Sequence, residues 1–124
     1  MSTNTELKIY MMSGDATIES DSGIDEVLKL VSSALKIPEF VLDKSEDWEG
    51  ADVYVSFCLG FSIYLSADDP PLNTLNTYHI LVMTSQDSFD YDEFDADDLN
   101  FDGNLIAMLR YRGIDAKVRP LDYE

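Results

Sequence analysis

Leu7, Ile9 and Met11 alternate with Lys8, Tyr10 and Met12, the period of two expected of a strand with one buried face. Gly14-Asp15 reads as the break that ends this first strand. Ile24, Val27, Leu28, Val31, Ala34 and Leu35 then recur at helical spacing and line one side of a predicted helix. Ser22, with Asp25 three positions on, resembles an N-cap; Lys36 suits the last turn and Pro38 stops the helix.

Phe40-Val41-Leu42 predicts a short strand running into an acidic turn over 45–50. From Val53 to Leu65 nearly every residue is apolar, β-branched or aromatic, and Gly60 in the middle makes this either two strands or one long bulged strand. Asp68-Asp69-Pro70-Pro71 ends it. Tyr78 to Thr84 is a further strand, whose run Ile80-Leu81-Val82-Met83 predicts a central position buried on both faces. Asn104 to Arg112 forms a second helix closed by Gly113, and Ile114, Ala116 and Val118 alternate with charged residues in a last strand. The predicted order is β-α-β-β-β-α-β. The fold class is therefore α+β: one domain over residues 1–124, with an antiparallel or mixed sheet of about five strands packed by two helices.

Composition supports a folded core, since 45% of the 124 residues are apolar and they include seven Tyr and six Phe. Charge changes the picture more. Twenty-five Asp and Glu against eight Lys and Arg leave a formal net charge of −17. Such a surface repels nucleic acid and anionic membrane, and it speeds encounter with cationic proteins. No basic and apolar leader opens the sequence and no run has the roughly 18 apolar residues of a membrane helix. The single Cys58 lies in an apolar stretch and reads as an inert buried thiol. A reducing cytoplasm is the expected location.

The acids are not evenly spread. Between Lys44 and Arg110 there is no Lys or Arg, yet fourteen Asp or Glu fall there. Asp87, Asp90, Asp92, Glu93, Asp95, Asp97, Asp98 and Asp102 are interleaved with Phe89, Tyr91, Phe94, Leu99 and Phe101. Carboxylates beside aromatics suit charge-assisted bonds to Lys and Arg together with apolar contact area. Some of Phe89, Phe94 and Phe101 are expected to anchor this loop to the core. Glu46, Asp47, Trp48 and Glu49, next to Asp43, form a second patch, in which Trp48 is either a core residue or an exposed anchor. The candidate partner-binding residues are Asp87, Asp90, Tyr91, Asp92, Glu93, Phe94, Asp95, Asp97 and Asp98 in the first patch and those four in the second.

Catalytic and metal chemistry find little purchase. The only histidine, His79, begins an apolar strand, and no Ser-His-Asp, Cys-His or zinc-ligand grouping can be drawn. Asp98-Leu99-Asn100-Phe101-Asp102-Gly103 matches the first half of an EF-hand loop, but Leu109 stands where a bidentate Glu should close it. Asp98 and Asn100 read equally well as a turn, with Asp102 capping the second helix. No catalytic residue, metal or cofactor is expected.

In size, acidity and mixed α/β pattern the chain resembles the acidic immunity proteins of bacterial toxin–immunity pairs, such as those of contact-dependent growth inhibition. No diagnostic motif carries that resemblance, so it transfers no residue. It implies an inhibitor that neutralises a basic protein toxin, a nuclease above all. A nucleic-acid mimic directed against a DNA- or RNA-binding enzyme, and a calcium-responsive module, are the alternatives. The oligomeric state is left open.

Overall fold

A computed structural model describes residues 8–44, 52–67, 76–85 and 95–118, with backbone alone at 8, 9 and 95–97. The elements are β1 (Lys8–Ser20), α1 (Ile24–Leu35), β2 (Val41–Leu42), β3 (Val53–Cys58), β4 (Phe61–Ala67), β5 (Asn76–Thr84), β6 (Asp95–Asn100), α2 (Asp102–Tyr111) and β7 (Ala116–Lys117). They build a seven-stranded sheet of order β2-β3-β4-β5-β1-β6, with β7 also paired to β1. β6 runs parallel to β1 and every other pairing is antiparallel. The α+β class holds, but the expected strands, about five, become seven among the described residues. Among the described residues no helix is long and apolar enough to cross a membrane.

Both helices pack on one side of the sheet. Register places Leu65, Ile80 and Ala16 in a row across β4, β5 and β1. All three are fully buried, under Val27 and Val31 of α1 and Leu105 and Leu109 of α2. Among the described residues the other side carries no helix, and there Leu81 is 37% exposed. This corrects the reading of β5 as buried on both faces: the strand is central, but only alternate residues from Tyr78 to Thr84 are fully buried.

Gly14-Asp15 does not break β1, which continues to Ser20. Gly14 is instead where the chain leaving β6 swings onto the helix side. A Cβ there would lie 2.9 Å from the backbone carbon of Phe101 and 3.1 Å from the amide nitrogen of Asp102. The first helix is capped differently from expectation. Gly23 is its N-cap, without a side-chain bond, while the Ser22 carbonyl is drawn off to accept from the Tyr78 hydroxyl and from Asn76 Nδ2. At its C-terminus the Lys36 N–H bonds the Ser33 carbonyl and the Ile37 N–H bonds that of Ser32, with Lys36 held at φ 57° in the left-handed geometry of a Schellman ending. α2 closes in the same way through Gly113 at φ 85°.

Candidate partner-binding surface

The structure turns the second half of the acidic block into a strand. Asp95, Asp97 and Asp98 lie in β6, opposite Lys8, Tyr10 and Met11 of β1 in register. β6 ends the strand order, so its far side is an edge among the described residues. Like charges along an edge disfavour pairing with a second copy. Asp98, Leu99 and Asn100 are all exposed, and Leu99 at 43% and Tyr10 at 49% set apolar surface beside the acids. Asp87, Asp90, Tyr91, Asp92, Glu93, Phe94, Glu46, Asp47, Trp48 and Glu49 lie outside the described residues, as does Phe89. Phe101 does pack against the core, half-buried.

Residues 98–102 correct the turn-and-cap reading. Asp98 and Asn100 are strand residues, and α2 starts at Asp102, with Phe101 as its N-cap. Asn100 Oδ1 accepts the Asp102 N–H at 2.8 Å. The Asp102 carboxylate turns back to accept the Asp15 N–H at 2.8 Å, while the Phe101 N–H donates to the Ser13 carbonyl at 2.8 Å. Asp102 thus carries the β1–β6 ladder one step past the point where the β6 backbone leaves it. Two oxygens that an EF-hand loop would turn on its ion are engaged with backbone N–H groups, and Leu109, in the closing position, is fully buried in the core. Among the described residues no group of three or more His, Cys, Asp or Glu is placed to hold a metal.

His79 lies on the face away from the helices, with Nδ1 3.4 Å from the Thr17 hydroxyl. Cys58 is not the buried thiol expected. It is half-buried at the end of β3, where α1, α2 and the β3–β4 hairpin leave an apolar cleft of about 300 Å³. Met12, Phe61, Phe101 and Met108 share its walls with Cys58. The hairpin itself is a two-residue turn, Cys58 pairing with Phe61, and its central Leu59 and Gly60 have φ 53° and 81°. Positive φ at both positions is the pattern of a type I′ turn, which favours Asn-Gly. A Leu there costs about 1–2 kcal/mol in backbone strain, and Leu59 is 92% exposed at the cleft. Nothing in the sequence alone marked this cleft, because its lining comes from six separate elements and loops. The Leu-Gly pair between two apolar runs was the one local signal of the turn.

Compared with models of protein families, with curated proteins and with solved structures, the chain gives no match.

Proposed function

We propose that this chain is an immunity-type inhibitor, a cytoplasmic protein that binds a basic toxin, in the simplest case a nuclease, through its acidic surface and performs no chemistry itself. The observation that carries the reading is the acidic edge strand: Asp95, Asp97 and Asp98 held by a parallel ladder to β1, in a molecule of net charge −17. A nuclease must present cations where phosphates bind. An acidic strand at the sheet edge complements that surface, and the overall field speeds capture.

The test is to retain host proteins on the immobilised chain at low salt and to assay the eluted, mass-identified protein for nuclease activity. The expected outcome is one basic protein whose activity is abolished by an equimolar amount of the chain. Replacing Asp95, Asp97 and Asp98 together by Asn should weaken that complex by about tenfold or more, with slower association as salt rises. Unchanged affinity in a folded triple variant, or an association rate indifferent to salt, overturns the assignment of this edge. Equal inhibition of several unrelated nucleic-acid-binding proteins would point to a nucleic-acid mimic instead.

A further inference from the structure

We infer that the apolar cleft beside Cys58 is the anchoring half of the binding surface, and that it takes apolar side chains from a cationic, amphipathic segment of the partner. This rests on the proposed acidic capture surface and adds to it the feature that would hold the partner once captured.

The cleft is built rather than left over. Its α1-side wall includes Ile37, and the next residue is tied to β3 by the Ser56 hydroxyl, which donates to the Pro38 carbonyl at 2.7 Å. Its lip is Leu59, a large apolar residue 92% exposed at φ 53°, where Asn or Gly would fit without strain. Folding gains nothing from an exposed Leu at that position, whereas docking gains contact area. Met12 and Met108 supply adaptable walls of the kind that mould to a ligand. A volume of about 300 Å³ is at the small end for ligand pockets, which run roughly 300–1,000 Å³, and suits protruding side chains.

Charge says which segment brings them. Met12 also lines a second hollow, of about 460 Å³, shared with Asp98, Leu99 and Asn100. The apolar cleft and the acidic edge therefore adjoin at Met12. A partner covering both must pair apolar residues with Lys or Arg. A second copy of this chain, also at −17, would bring acid against acid.

Two synthetic peptides of equal length and charge test this, one of Leu and Lys at helical spacing, the other with every Leu replaced by Ser. The Leu/Lys peptide is expected to bind about tenfold tighter or better and to slow alkylation of Cys58, the single cysteine, by iodoacetamide. The Ser/Lys peptide should leave that rate unchanged. Leu59→Asn, which relieves the backbone, should raise the melting temperature while weakening the Leu/Lys peptide severalfold. Met108→Ser, at a position 39% exposed, should do the same to binding in a folded protein. Equal binding of the two peptides, no protection of Cys58, or unchanged affinity in both folded variants overturns the cleft and leaves the acidic surface standing. Failure of both peptides to bind at low salt removes the acidic surface as well.

Discussion

At the centre of the sheet, β4, β5 and β1 meet both helices through Leu65, Ile80, Ile18, Leu105 and Leu109, each at most 1% exposed. At its β6 edge, the described residues are held by a parallel ladder, two side-chain-to-backbone bonds through Asn100 and Asp102, and the missing side chain of Gly14. The centre is held by burial, which is non-directional and tolerates small shifts. The edge is held by directional bonds and one close backbone approach, which do not. An acidic strand has little apolar surface to offer the core, so geometry must hold it where burial does not. That difference lets an acidic strand join the sheet without drawing its charges into the core.

The largest blow to the centre should come from Leu105→Ala, which removes a fully buried side chain and should cost about 2–5 kcal/mol in urea unfolding. A loss below 1 kcal/mol would mean that α2 is not packed as described. Gly14→Ala separates the two regions. It adds one methyl group against backbone at 2.9 Å and should cost about 1–3 kcal/mol, with faster amide exchange at Phe101 and Asp15 and little change in the β4–β5 ladder. Exchange that quickens everywhere alike would erase the distinction between centre and edge. Asp102→Ala strips the Asp15 N–H of its acceptor and should cost about 1–2 kcal/mol. Asp102→Asn, keeping an oxygen at that position, should recover part of it. If Asn behaves as Ala does, the bond at 2.8 Å contributes nothing.

Much of the centre was legible along the chain. The helical spacing of Ile24 to Leu35 located α1 within its observed bounds, period-two alternation found the first half of β1, and the apolar run around Ile80 to Met83 found β5. The edge was not legible. Asp95-Ala96-Asp97-Asp98-Leu99-Asn100 has the composition of a loop, and becomes a strand because β1 extends past β5 and offers Lys8 to Ser13 as a parallel template. Gly14 misled for a related reason: glycine marks turns and close approaches alike, and only the path of Phe101 shows which applies. Leu81 misled because an apolar run does not say whether its second face is covered.

The sequence by itself determined the α+β class, the positions of both helices, the core residues on their inner faces, and a net charge of −17. These follow from local periodicity and composition, each a property of residues near one another along the chain. Only the tertiary structure decided that the acids of residues 95–98 form an edge strand, that Asp102 caps a ladder and not a helix, and that Met12, Cys58 and Met108 enclose one cleft. Those facts depend on which distant segments meet, and the chain encodes that through the whole packed core at once.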